Sequence, residues 1–262
     1  MANKPPERDL APVIQKLRLR YAKRGRLRFS SHRDFQRALE RALRRAGVPM
    51  AYSAGFSPHP KISYSNSAPT GVASEAEYVE IGVTELCDPQ KLQAELDAAL
   101  PPGLDVVEVI EATSSDFSSR LEASLWEMEI CAPAQEVMSA VGALMESTEV
   151  LVERKTKSGL RVFDARSAIL LMESVTESAV TGPGGDQMPP ECVILHVVVR
   201  HITPSVRPDD VLTALKQVGN LVPLKPIRVT RLAQGPLNEV GDVGIEAEIS
   251  IRDPFDPDRV LV

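Results

Sequence analysis

Two periodicities alternate along the chain, and their order predicts the fold. From Lys16 to Lys23 apolar and polar side chains alternate, with Leu17, Leu19 and Tyr21 on one side and Arg18 and Arg20 on the other. That period of two is the signature of a half-buried strand. Arg24-Gly25 is a turn signal, and Arg26 and Arg28 alternating with Leu27 and Phe29 predict that extended chain resumes. The period then changes. Phe35, Ala38, Leu39, Ala42, Leu43 and Ala46 recur at helical spacing behind Ser31-His32-Arg33-Asp34, which has the capping-box form. Gly47 stands at the left-handed cap and Pro49 prevents continuation, so a helix runs from Ser31 to about Ala46.

Residues 50–77 are rich in Gly, Pro and Ser. They predict short strands near Met50–Ser53 and Lys61–Ser65, a loop at Gly55–Pro60 between them, and a second loop to Ser74. Tyr78–Glu85 alternates as a strand, Pro89–Leu100 sets Leu92, Leu96 and Leu100 on one helical face, and Leu104–Ala112 alternates again. The order so far is β-α-β-β-α-β.

A serine-rich segment, Thr113–Arg120, reads as a linker, after which the order recurs. Its elements are a strand at Leu125–Ala132, a helix at Ala134–Ser147, a hairpin of Val150–Lys155 with Gly159–Asp164, and a strand at Ala168–Thr176. A Gly/Pro loop at 181–191 leads into the apolar strand Cys192–His201, the helix Pro208–Val218 and the strand Ile227–Leu232. One more strand is expected at Val243–Ile251. The expected fold class is α+β, two tandem ferredoxin-like (βαββαβ) units with antiparallel sheets. The expected organisation is a flexible tail at 1–15, a basic domain at 16–113, and a second domain with a C-terminal extension at 121–262.

Composition narrows the class. Aromatic residues are only 4% of the chain, so its cores must be built mainly from Val, Leu, Ile and Ala. No apolar run approaches the ~20 residues that span a bilayer, and the first fifteen residues lack a signal-peptide core. Three cysteines, at 87, 131 and 192, are odd in number and scattered, which argues against a disulfide framework and for a reducing cytoplasm. No His, Cys and carboxylate spacing matches a metal site, and no phosphate-cradling glycine motif or nucleophile elbow occurs, so no metal and no cofactor are expected.

Charge changes the picture most. Residues 1–64 hold 15 Lys and Arg against 4 Asp and Glu, whereas the remainder holds 15 against 32. A basic region on an acidic body points to an anionic partner for one face. Arg33, Arg37, Arg41 and Arg44, with Arg45 beside them, climb the polar side of the first helix at spacings of four, four and three, interrupted only by Glu40. Guanidinium groups so spaced match the phosphates of a nucleic-acid backbone. The plainer alternative is a solvated helix face, which ordinarily carries acidic partners. Arg18, Arg20, Lys23, Arg28 and Lys61 extend the basic surface.

Phe56, in the stiffened loop Gly55–Pro60, is placed either to stack on a base or to anchor the loop. His32 and His59 are candidates for an acid/base pair and otherwise serve as a helix-start residue and a loop contact. The helix start and that loop are expected to form one composite surface, ringed by Arg28, Arg33 and Arg37. His196 and His201 flank an apolar strand and take core or strand-end roles. Arg154, Lys155, Lys157, Arg161 and Arg166 form a second, thinner basic patch, with an ion pair expected within Asp164-Ala165-Arg166.

Three runs carry a family resemblance: R-x-x-Y-x-K-x-G-x-x-R-F-x-S-H-x-D from Arg18 to Asp34, E-R-A-x-R-R-A-x-x-P from Glu40 to Pro49, and Y-S-x-G-F-S-P-H-P from Tyr52 to Pro60. Ser74, Glu77-Tyr78 and Asp164-Ala165-Arg166 fit as well. Over about Lys16–Glu80 the chain resembles the radical-SAM-linked domain family of unknown function. It departs from that family at Tyr64-Ser65, where an aromatic-Gly pair is usual, and at Ala68-Pro69-Thr70-Gly71. The resemblance implies a domain that stands alone or follows a radical-SAM enzyme, often encoded beside the ribonuclease E/G family. The chain has no Cys-x-x-x-Cys-x-x-Cys and so holds no radical-SAM cluster of its own.

The function expected from these readings is a cofactor-free RNA-binding accessory protein, cytoplasmic, acting on tRNA, rRNA or a ribonucleoprotein, with a radical-SAM enzyme or ribonuclease E/G as candidate partner and no membrane. Two alternatives stay open. One is a metal-independent RNA endonuclease using His32 or His59. The other is a protein–protein adaptor for a radical-SAM subunit.

Overall fold

The structure, a computed structural model, describes residues 10–157, 159–175, 192–240, 248–256 and 261. Among them the chain is mixed α+β, with four helices and mostly antiparallel strands. It divides into two units, Met1–Ser119 and Arg120–Val262. Among the described residues no helix is long and apolar enough to cross a membrane.

In the first unit the predicted alternation becomes β1 (Gln15–Lys23) and the predicted helical stripe becomes α1 (His32–Arg45). Then follow β2 (Ile62–Ser65), β3 (Ala73–Val83), α2 (Pro89–Ala99) and β4 (Leu104–Glu111). The strands lie side by side in the order β4-β1-β3-β2, all antiparallel. Phe35, Leu39 and Leu43 of α1 and Leu92 and Leu96 of α2 pack onto Leu17, Leu19 and Ile81 of this sheet. Tyr21 of β1 stacks on Phe35 with ring centroids 4.1 Å apart.

Two local expectations are corrected. Gly25–Phe29 is a 3₁₀ turn rather than extended chain; Gly25 takes a φ of 53°, and Leu27 N–H donates to Arg24 O at 3.0 Å. Alternating charge over five residues does not separate a tight turn from a strand. Thr113–Arg120 is not a bare linker either. Phe117 is buried there against Tyr78 and lies 4.7 Å from the Arg18 guanidinium, so this segment covers the sheet face opposite the helices. Near Met50–Ser53 only single bridges form, Met50 with Val83 and Tyr52 with Pro60.

The second unit runs β5 (Ala123–Cys131), α3 (Ala134–Glu146), β6 (Leu151–Thr156), β7 (Gly159–Asp164), β8 (Ile169–Ser174), β9 (Cys192–Arg200), α4 (Pro208–Gly219) and β10 (Arg228–Gly235). Its strands order as β10-β5-β9-β8, with β6–β7 as a separate hairpin. α3 and α4 approach so closely that a Cβ on Gly219 would stand 2.3 Å from the Cβ of Ala140. A further hairpin of β11 (Leu237–Val240) and β12 (Glu248–Ile251) forms in the C-terminal extension, where only the second strand was expected. The Gly/Pro loop at 181–191, most of the N-terminal tail and the start of the Val243–Ile251 strand lie outside the described residues.

Cys131 and Cys192 are joined by a disulfide, contrary to the reading from cysteine count. They are 61 residues apart, but β5 and β9 are neighbours and their register sets the two cysteines directly opposite each other. Only the topology makes that pair. Scattered cysteines therefore give no support to a reducing compartment for this chain. Glu129, Cys131 and Cys192 are the one grouping of potential metal ligands among the described residues, and its two sulfurs are bonded to each other.

His201 closes β9 in the strand-end role expected of it. Nδ1–H donates to Leu121 O at 2.6 Å, and Nε2 accepts from the Ser124 hydroxyl at 2.7 Å. Burial lowers its pKa from 6.5 to about 4. A histidine depressed in the folded state binds a proton more readily when unfolded, so stability is complete above about pH 6.5 and declines as pH falls toward 4. The loss should amount to roughly 3 kcal/mol. Urea unfolding followed through the single tryptophan, Trp126 of β5, should show this decline, and His201→Gln should flatten it.

Candidate nucleic-acid interface

α1 is set by its own sequence. Ser31 Oγ accepts from Asp34 N at 3.2 Å, and the Asp34 carboxylate accepts from Ser31 N at 3.3 Å, completing the capping box. The hydrogen bonds from Ser31, with Arg37 and Arg33 nearby, hold the Asp34 carboxyl below its ordinary range. Ser31→Ala should cost about 1 kcal/mol of stability, readable in thermal unfolding.

With the apolar stripe facing the sheet, Arg33, Arg37, Arg41, Arg44 and Arg45 are all exposed. Arg44 donates to Glu40 O at 3.2 Å and Arg45 to Ala99 O at 3.0 Å, contacts that leave both charges at the surface. Among the described residues Arg33, Arg37 and Arg41 form no salt bridge and no hydrogen bond from their guanidinium groups.

At the start of α1 this face meets a fixed loop, residues 66–72. Lys23, buried at the end of β1, reaches Ala68 O at 3.4 Å and Pro69 O at 3.3 Å. Buried Glu77 accepts from Ala68 N at 3.0 Å. Gly71 N donates to Arg28 O at 2.8 Å. Ser67 Oγ lies 3.3 Å from His32 Nδ1, and the Gln36 amide lies 3.0 Å from Nε2, so both ring nitrogens have partners. The imidazole also stands edge-on to Tyr64, 4.8 Å between centroids.

Phe29 is 59% exposed beside this cluster, with the Arg28 guanidinium 4.7 Å over its ring. Arg28 Nε and the Tyr64 hydroxyl are buried without a hydrogen-bond partner. Burial pushes the Tyr64 phenol upward.

Three predicted surface cations are not available to a ligand. Arg18 is 1% exposed, donates from Nε to Glu80 at 3.0 Å, and meets Ser114 and Phe117. Lys23 is held inside by the loop carbonyls. Arg20 is half-buried and pairs with Glu108 at 2.8 Å. Alternation places Arg18 and Arg20 outside because it assumes one wet sheet face, and here the 112–120 segment covers Arg18; Lys23, in phase with Leu17, Leu19 and Tyr21, follows a register shift after Tyr21 and is held by the 66–72 loop.

Phe56, His59 and Lys61 are exposed. The His59 N–H donates to Ser53 Oγ at 3.1 Å, closing its loop ahead of β2. His32 packs instead at the far end of β2, against Tyr64. Among the described residues no hydrogen bond or ring contact joins His32 to His59, so no His32–His59 pair is assembled.

The second basic patch is also reduced. Arg154 pairs with Asp210 at 2.8 Å and packs over Phe163, while Arg166 donates to Ile169 O and Met145 O. Asp164 accepts from the backbone of Val150 and Arg166 rather than forming the expected ion pair. Sequence reasoning missed Phe29, Gln36, Tyr64 and Ser67; the Arg28-Phe29 pair inside the long motif was the available signal.

A family model described as an uncharacterized protein conserved in bacteria (DUF2344) matches residues 16–208, a span that contains the whole of this interface. No curated protein matches the chain.

Proposed function

The chain belongs to this family of uncharacterized proteins conserved in bacteria (DUF2344), and we propose that its first unit binds RNA. The role is that of an accessory protein that docks on tRNA, rRNA or a ribonucleoprotein. The observation that carries this reading is the row Arg33, Arg37 and Arg41, exposed on a capped helix with no salt bridge among the described residues. Phosphates supply the charge that row lacks. RNA is favoured over DNA by the fold reading, two tandem ferredoxin-like units, an architecture that often serves RNA. Its support is the β-α-β-β-α-β order of the first unit and the matching strand orders, β4-β1-β3-β2 and β10-β5-β9-β8. The sequence resemblance adds a radical-SAM enzyme or ribonuclease E/G as the enzyme served.

No observation favours the endonuclease alternative: both nitrogens of His32 are engaged, and among the described residues no hydrogen bond or ring contact joins it to His59. The test is to purify the tagged chain from its host at low salt, sequence the RNA that accompanies it and identify the proteins. Enrichment of defined RNAs, absent from an Arg37→Glu/Arg41→Glu variant, is the expected result. Protein partners that persist after ribonuclease treatment, with no RNA enriched over the variant, would replace the reading with the adaptor.

A further inference from the structure

We propose that Phe29 and Arg28 form a nucleobase-stacking site at the start of α1, so that the ligand of this face is single-stranded RNA with an unstacked base rather than duplex. This rests on the RNA reading above and specifies its ligand. An exposed aromatic on a mobile tip would be unremarkable. Phe29 is different, because it is 59% exposed yet held on several sides. It ends the 3₁₀ turn Gly25–Phe29, whose Arg28 carbonyl accepts from Gly71 N at 2.8 Å. Its ring edge lies 3.9 Å from where a Cβ on Gly71 would stand, and Gly71 has a φ of 93° that L side chains rarely adopt. The Arg28 guanidinium sits 4.7 Å over the ring. A preset aromatic plane with a flanking cation is what base stacking uses, and every base offers it a π-face.

His32 lies edge-on to Tyr64, joining that ring to the helix start. Arg33, four residues after Phe29 and second in α1, begins the arginine row. A strand whose backbone follows Arg33, Arg37 and Arg41 would bring one base to Phe29. A-form duplex keeps its bases stacked within the helix and offers no free face.

The test uses the full chain and fluorescently labelled probes of equal length: single-stranded oligoadenylate, the same backbone with abasic sites, and a duplex. The wild type is expected to bind oligoadenylate about tenfold or more tighter than the abasic strand, the scale of one base–aromatic stack. Phe29→Leu, an exposed substitution, should erase that margin while keeping abasic affinity and its salt dependence. Phe29→Trp should restore the margin and report binding by quenching of a new exposed indole against buried Trp126. Equal wild-type affinity for oligoadenylate and abasic strand, or a margin that survives in Phe29→Leu, overturns the stacking site alone. Preference for duplex overturns it as well. Binding to none of the probes at low salt overturns both this site and the RNA reading.

Discussion

Charge reversal of Arg37 and Arg41 together is expected to weaken RNA binding by about a hundredfold near physiological salt, leaving thermal unfolding unchanged. Each arginine that meets a phosphate releases counterions, and a reversed charge adds repulsion to the lost contact. Neither residue supports the fold. Both are exposed on the polar side of α1, without salt bridges among the described residues, while Phe35, Leu39 and Leu43 on the opposite side hold the helix to the sheet. Fluorescence anisotropy against one RNA, with circular dichroism as the control on folding, separates a lost interface from a lost structure. Unchanged affinity in the folded double variant would remove α1 from the interface.

The largest effect on stability should come from the interior of the same unit. Glu80→Ala is expected to destabilise it by roughly 3–5 kcal/mol, because it strands a buried guanidinium. Arg18 is 1% exposed, and its charge is met by Glu80 at 3.0 Å, by Ser114 and by the Phe117 ring. Lys16 shares the same carboxylate at 2.9 Å from a more exposed position and cannot replace it. Arg18→Met combined with Glu80→Ala removes the stranded charge and keeps a long apolar stem, so the double variant should recover much of the loss. Urea unfolding by circular dichroism measures both. A Glu80→Ala variant as stable as the wild type would show that Arg18 finds its compensation elsewhere.

How far the sequence could be read depended on whether a feature was local. The capping box of α1, the apolar stripe beneath it and the outward arginines all follow from spacing within some fifteen residues, and each stands where the periodicity predicts. The strands of both units were legible for the same reason. What failed was set by segments distant in the chain. Arg18 alternates outward, yet Phe117 closes over it, and Lys23 at the strand end is taken in by the 66–72 loop. Cys131 and Cys192 meet only because β5 and β9 are adjacent in register. His32 and His59 share a motif, but His32 is engaged by Gln36, Ser67 and Tyr64, while the His59 N–H closes its own loop on Ser53. Phe29 was hidden by its turn, since Gly25–Phe29 alternates in charge as a strand would while folding as a 3₁₀ turn. The motif residues Lys23 and Glu77, together with Gly71, prove to be supports that fix the loop beside the helix start.

The salt dependence of RNA binding tests the central claim most directly. Affinity for one single-stranded RNA should be measured by anisotropy over a series of salt concentrations, for the wild type and for Arg37→Glu/Arg41→Glu. If the α1 face neutralises three to five phosphates, the logarithm of the association constant should fall with the logarithm of salt at a slope of roughly −2 to −3.5, and the double variant should lose about 1.5 of it. No binding at low salt, a slope near zero, or the same slope in the double variant would contradict the assignment of this face to RNA.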